Sequence, residues 1–246
     1  MAFDYDELSF EVRPDIKTAY RNFWQRLSNP GAWWTGAERV AIAQASREAL
    51  DCEFCKARKN ALSPYTFEGE HESTVDLPAL AVDAVHRIVT DQGRITRRWV
   101  EDNAGNGLSK AHYVELAGVV VNTFCIDEFN RGLGVPVEAL PEPQPGEPSN
   151  YRPEVLVDDM GFVPTIPPEG AVGNEADLWS GNRAANVMRA LSLVPDGLRD
   201  WKEIAGAQYL SVEGMANFVK DENRVINRMQ MELIAGRVSS INECFY

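Results

Sequence analysis

The sequence lacks the features that mark membrane proteins, secreted proteins and nucleic-acid-binding proteins. No stretch of the 246 residues is apolar for long enough to span a bilayer. The first residues lack the basic start and apolar run of a signal peptide. Basic residues are scarce, with 24 Lys and Arg against 37 Asp and Glu, and a net charge of −13 repels phosphate backbones and anionic lipid. We therefore expect a cytoplasmic protein with no nucleic acid and no membrane partner.

Cysteine is also rare, and its four positions are unevenly spaced. This pattern does not fit the disulfide framework of a small secreted protein. Cys52 and Cys55 form a Cys-x-x-Cys pair, which indicates a redox-active dithiol, although an inert buried pair and half of a zinc site remain open. Cys125 lies in an apolar run that is typical of a core, and we expect both Cys125 and Cys244 to be unpaired.

Only three histidines are present. His71 lies in an acidic loop, where we expect a solvated imidazole, and His86 and His112 each stand alone on a predicted helix. Zinc needs four ligands. Because no second close pair of cysteine or histidine accompanies Cys52 and Cys55, we expect no metal and no cofactor.

Strand-like alternation is missing, so the sequence predicts an all-α fold. Thr35 and Glu38 form a capping box at the start of one helix, and Ser109 can cap another that carries the run Val119-Val120-Val121. The predicted helices run from Ile16 to about Asn29, from Thr35 towards Asp51 and the cysteines, from Pro78 to before Gly93, from Ser109 to Gly134, from Ala184 to Leu191, and from Glu222 to Ser240.

Proline is concentrated in one part of the chain. Most of the 14 prolines lie between Pro136 and Pro168, a density that excludes helix and favours an extended segment. We therefore predict a helical unit over residues 1–134, a Pro-rich linker over 135–170 and a second helical unit over 171–246.

The segment that leads to the cysteines resembles a known family. Residues 37–43 followed by Ala49-Leu50-Asp51-Cys52-Glu53-Phe54-Cys55 resemble the core of the carboxymuconolactone decarboxylase and AhpD-like superfamily, and residues 109–134 resemble its second element. The resemblance implies an AhpD-like helical bundle over about 35–134. Residues 232–246 resemble the same motif again, with Glu232 at the acidic position and Cys244 as the first cysteine. The chain then contains one complete family-like unit and part of a second.

The resemblance also implies a reaction. In this family the position of Cys55 attacks a peroxide, the position of Cys52 resolves the product as a disulfide, and an external dithiol restores the pair. Two relay positions depart from the family pattern: Val40 replaces an acid, with Glu38 two residues earlier, and Lys59 replaces a histidine. Either His86 or His112 could substitute for the missing relay base. We favour His112, because Glu115 lies one turn further along and this helix is expected to pack near the cysteines. The candidate catalytic residues are Cys52, Cys55, Lys59, Glu38, His112 and Glu115.

Three functions remain open at this point. The favoured one is a thiol-dependent oxidoreductase of AhpD-like type that reduces a peroxide or exchanges disulfides. The second is a carboxymuconolactone decarboxylase-like enzyme, which needs no cysteine pair. The third is a non-catalytic helical protein with a decayed site, supported by Val40 and Lys59. Members of the family are helical oligomers, so the resemblance also implies a homo-oligomer.

Overall fold

The first helix and its packing follow from the apolar spacing near the N-terminus. The computed structural model describes residues 2–179, 184–211, 214 and 224–241. Helix α1 (Pro14–Ser28) begins with a proline and an acidic residue in its first turn, and Asn29 is its C-cap, close to the predicted end. Its apolar face is buried through Ile16, Ala19, Tyr20, Phe23, Trp24 and Leu27.

Helices α2 and α3 position the cysteines. The backbone N–H of Glu38 donates to the Thr35 hydroxyl at 3.2 Å, and the Glu38 carboxylate accepts from the backbone N–H of Thr35 at 2.8 Å. The predicted capping box is therefore confirmed, and it starts α2 (Gly36–Glu48). A short turn separates α2 from α3 (Glu53–Asn60).

Three further helices complete the N-terminal half. They are α4 (Ala79–Thr90), α5 (Arg97–Gly105) and α6 (Lys110–Leu133). Ser109 caps α6 by accepting from the backbone N–H of His112, and Gly134 ends it in the left-handed conformation at φ 74°. The valine run at 119–121 lies inside this helix, so the helix prediction for that stretch is confirmed.

One core joins most of these helices. Helix α2 packs against α1, α4 and α6, and α8 (Pro195–Gln208) packs against α1 and α6. Because the buried side chains of α8 include Ile204 and Ala207 in the same apolar cluster as Leu27 and Leu116, the core extends across both sides of the Pro-rich segment. A smaller cluster lies beside it, formed by Ile166, Leu178, Trp179, Met188 and Leu198.

The Pro-rich segment has no regular helix between residues 135 and 167. It lies against the helices: the Trp24 indole donates to the carbonyl of Ala139 at 2.7 Å, and the backbone N–H of Gln144 donates to the carbonyl of Ser28 at 2.8 Å. Within the described residues a single antiparallel bridge, Val157 to Thr165, is the nearest approach to a strand. The all-α prediction is confirmed, while the division at 134 and 170 stays a prediction.

The C-terminal part carries two more helices, α7 (Asn186–Arg189) and α9 (Arg228–Ile241). The predicted helix from residue 222 begins at 228 in the described part, and Cys244 lies outside the described residues. Several apolar side chains of α9 are exposed, and Met231 is its buried residue. Among the described helices, none is both long enough and apolar enough to cross a bilayer.

Candidate Cys/His site

The two cysteines lie at the beginning of α3. Cys52 is the N-cap residue, and Cys55 lies in the first turn. Both side chains are 1% exposed and neither forms a disulfide. Burial at a helix N-terminus places the sulfurs where backbone N–H groups favour a negative charge.

Two histidines converge on this cysteine pair. His71 comes from the irregular segment between α3 and α4, and its Nδ1 lies 3.8 Å from Cys52 Sγ and 3.4 Å from Cys55 Sγ. His86 comes from α4, and its Nδ1 lies 3.3 Å from Cys55 Sγ. All four donor atoms lie within 4.8 Å of one another. We call these four residues the Cys/His cluster.

A carboxylate and a buried arginine support the cluster. Asp83, one turn before His86 on α4, lies 2.9 Å from His71 Nε2 and also pairs with Arg58. The Arg58 side chain is buried, with Nη2 3.9 Å from Cys55 Sγ and the guanidinium carbon 5.2 Å from the centre of the Phe54 ring. Asp83 therefore fixes the imidazole of His71 and offsets the charge of Arg58.

The irregular segment that carries His71 is held in place by contacts with α2 and α3. Gly69 packs so closely on the Phe54 ring that a Cβ at this position would overlap it. Further along, Ser73 and Thr74 donate hydroxyl hydrogen bonds to the Glu48 carboxylate at 2.9 and 2.5 Å. Because Glu48 ends α2 and Phe54 belongs to α3, both contacts hold His71 over the cysteines.

These surroundings shift the pKa values of the cluster in opposite directions. Burial alone would raise the pKa of Cys52, but the backbone N–H groups of Cys55 and Glu72 outweigh it and lower this pKa. Burial alone would lower the pKa of His71, but the Asp83 carboxylate and the two sulfurs raise it to about 9. Burial, together with the nearby positive charge of His71 and Arg58, lowers the pKa of His86 to about 4.

No family model, curated protein or solved structure matches this chain.

The structure corrects two expectations about the histidines. His71 was predicted to be solvated, yet its side chain is only 10% exposed and contacts both sulfurs, so that prediction is wrong. The expectation that no second pair of cysteine or histidine accompanies Cys52 and Cys55 is also wrong, because His71 and His86 form that pair. The reason is the fold: α4 runs beside α3, and the segment between them returns across the cysteines.

A cavity of about 720 Å³ adjoins the cluster. His71, Asp83 and Arg58 contribute to its wall, and the remaining wall is largely aromatic and aliphatic. The apolar part includes Phe54, Tyr65, Phe67, Leu80, Val82 and Trp99. An opening of this size and lining suits a small organic molecule with an apolar body.

Two of the predicted site residues lie near the cluster in sequence but serve other contacts. Lys59 is an exposed residue of α3, and its carbonyl accepts from Arg94 at 3.1 Å. Glu38 caps α2 through Thr35. Among the described residues, no hydrogen bond or ion pair joins either side chain to Cys52 or Cys55.

His112 and Glu115 belong to a second group on α6. His112 Nδ1 lies 2.7 Å from the Ser109 hydroxyl, and its ring packs against Trp33 and Trp34. Glu115 is buried, accepts from the backbone N–H of Trp33 at 2.6 Å and pairs with Arg39 at 3.5 Å. This group lines a separate cavity of about 420 Å³ through Glu115 and Arg39. No contact in the described part of the chain links it to the cysteines.

Proposed function

We propose that the chain is a thiol-dependent oxidoreductase of AhpD-like type, with Cys52 and Cys55 as its redox pair and an organic hydroperoxide as its substrate. The observation that carries this proposal is the contact of His71 with both buried sulfurs while Asp83 binds the opposite nitrogen. A base that is oriented by a carboxylate and touches the nucleophile is the arrangement that activates thiols in enzymes.

The first step is the attack of the Cys55 thiolate on a peroxide oxygen. The O–O bond breaks, the sulfur becomes a sulfenic acid, and the departing alkoxide takes a proton from His71 to leave as an alcohol. Cys55 is the attacking residue by the family's roles. It also lies closer than Cys52 to His71 and contacts Arg58, whose charge stabilises a thiolate.

The second step joins the two sulfurs. The Cys52 thiolate attacks the sulfenic sulfur, hydroxide leaves and takes up a proton to form water, and a Cys52–Cys55 disulfide results. The two sulfurs lie within 4.8 Å of each other at the N-cap and the first turn of one helix, so side-chain rotations can bring them to bonding distance. An external dithiol then reduces the disulfide, and the cytoplasm is the compartment that we propose, since it supplies such reductants.

The neighbouring cavity supports an organic substrate. Its aromatic wall can bury an alkyl or aryl group, while His71 and Asp83 mark the polar end at which the peroxide would react. We therefore expect an aryl hydroperoxide such as cumene hydroperoxide to react faster than hydrogen peroxide at equal concentration.

Peptide mapping after brief peroxide exposure tests the proposal. The reduced, chelator-treated chain is exposed to one equivalent of cumene hydroperoxide, and we expect a Cys52–Cys55 disulfide before any oxidation of Cys125. Burial raises the pKa of Cys125 to about 11, so this thiol should react slowly. Cys125→Ser is the matched control and should form the same disulfide. Oxidation of Cys125 with Cys52 and Cys55 unchanged would favour the non-catalytic function.

A further inference from the structure

The Cys/His cluster offers a complete set of four metal ligands. Two sulfurs and two Nδ1 atoms approach one point from α3, from the segment after it and from α4. Cysteine sulfur and imidazole nitrogen are the donors that zinc prefers, and structural zinc sites are closed by four of them. Each residue supplies one atom, so the count fits a tetrahedral ion.

The distances between the donor atoms fit the same ion. With Zn–S of about 2.3 Å and Zn–N of about 2.0–2.1 Å, a tetrahedral site separates sulfur from nitrogen by about 3.5–3.6 Å. The three measured sulfur–nitrogen distances are 3.8 Å, 3.4 Å and 3.3 Å. The other three pairs of donor atoms lie within 4.8 Å of one another, so all four atoms surround a space of the size of one ion.

The neighbours of the cluster also fit a bound cation. Nδ1 of His71 faces the sulfurs while Nε2 faces Asp83 at 2.9 Å, and a carboxylate on the second nitrogen is typical of a metal-bound histidine. Nδ1 of His86 likewise faces Cys55. The side chains of Cys52, Cys55 and His86 are at most 1% exposed, which would exclude solvent from the ion.

We infer that Cys52, Cys55, His71 and His86 bind one zinc ion, which ties α3 and the segment around His71 to α4. This inference rests on the geometry of four donors and not on the peroxide chemistry proposed above. His86 separates the two: it is a ligand of the metal but has no role in the proposed thiol reaction.

Metal analysis of the full chain tests the inference. The protein is purified under reducing conditions, stripped with a chelator, incubated with zinc sulfate and freed of unbound metal by gel filtration. We expect one zinc per chain by elemental analysis. Cobalt(II) in place of zinc should give the visible absorption of tetrahedral thiolate coordination. A chain that retains no zinc, or cobalt in octahedral coordination, would overturn the inference.

Ligand variants make the test specific. His86→Gln should weaken zinc binding at least a hundredfold by competition with a coloured chelator, because three ligands cannot close the site. His86→Cys keeps a ligand and should restore one zinc per chain. Cys125→Ser is the control and should bind zinc as the unchanged chain does. Unaltered zinc affinity in a folded His86→Gln chain, verified by circular dichroism, would overturn the inference.

The same variant distinguishes the metal site from the thiol reaction. In chelator-treated His86→Gln, the Cys52–Cys55 disulfide should still form with cumene hydroperoxide. Zinc binding without disulfide formation in the metal-free chain would leave the metal site standing and contradict the oxidoreductase. Disulfide formation in a chain that binds no zinc would support the oxidoreductase and contradict the metal site.

Discussion

Asp83 is the negative group beside the two sulfurs. The pKa of Asp83 lies well below its usual value because His71 and Arg58 outweigh the effect of burial, so it remains a carboxylate. Its negative charge offsets the repulsion between a positive Arg58 and a protonated His71. Both groups can therefore lie beside the cysteines. Asp83 is therefore the residue on which the electrostatic balance of the site depends.

Replacing His71 tests its role as the acid and base. His71→Asn should lower the rate of Cys52–Cys55 disulfide formation about a hundredfold, because it removes the group that returns a proton to the leaving oxygen. Stopped-flow measurement with cumene hydroperoxide on the metal-free chain gives the rate. Lys56→Ala is the control, since Lys56 is exposed and pairs with Glu53. A faster reaction in Lys59→His would instead indicate that position 59 supplies the relay.

A second carboxylate outside the site predicts a pH effect on stability. Burial raises the pKa of Asp200 to about 6, against the charges of Arg26 and Arg39. Since this pKa is higher in the folded chain, Asp200 contributes stability below pH 4 that is lost as the pH rises through 6, on the order of 2–3 kcal/mol. The unfolding free energy of the native chain should fall relative to that of Asp200→Asn over this window in urea titrations. Parallel pH profiles would contradict the prediction.

Elements differ in how well the sequence alone predicts them. The capping box of Thr35 and Glu38 and the Ser109 cap are local signals, and the helices that they begin lie where the sequence places them. His71 gave no such signal, because its position depends on Gly69 packing on Phe54 and on hydrogen bonds to Glu48, contacts between separate elements. Asp83 and His86 lie three residues apart on one helix face, and this spacing is the signal in the sequence that could have indicated a site. It does not reveal that α4 lies beside the cysteines.

The start of α2 leaves no room for a side chain. A Cβ at Gly36 would overlap the carbonyl oxygen of Ser28 and lie 2.7 Å from that of Gln144. Gly36→Ala should therefore lower the unfolding free energy by about 1–3 kcal/mol. Gly132→Ala is the matched control on α6, where a Cβ meets nothing within 4 Å, and it should raise stability by about 0.5–1 kcal/mol. Equal thermal shifts for both variants would contradict the prediction and show that the Pro-rich segment around Gln144 moves to admit the methyl group.

Among the described helices, α9 carries the most exposed large apolar side chains. Its residues Met229, Leu233, Val238 and Ile241 are 82%, 74%, 50% and 62% exposed. Exposed apolar surface of this extent costs free energy in water and favours association. The homo-oligomer that the family resemblance implies would cover this surface.

Sedimentation tests this assembly. We expect at least a homodimer at micromolar concentration, and conversion to monomer when Leu233→Ser and Val238→Ser are combined. Val187→Ser changes an exposed valine of α7 and should leave the assembly intact. A native chain that sediments as a monomer would contradict the prediction, as would a double variant that stays associated.

The Cys/His cluster also has a place in the order of folding. Its four residues lie between positions 52 and 86, whereas other contacts join Phe3 to Glu138 and Asn22 to Glu203, which are 135 and 181 residues apart. Closing a short loop costs less entropy than closing a long one, and a chain emerges from the ribosome N-terminus first. The ligands can therefore meet while α8 is still being synthesised. A nascent chain would then capture zinc, or meet an oxidant, before its core is complete.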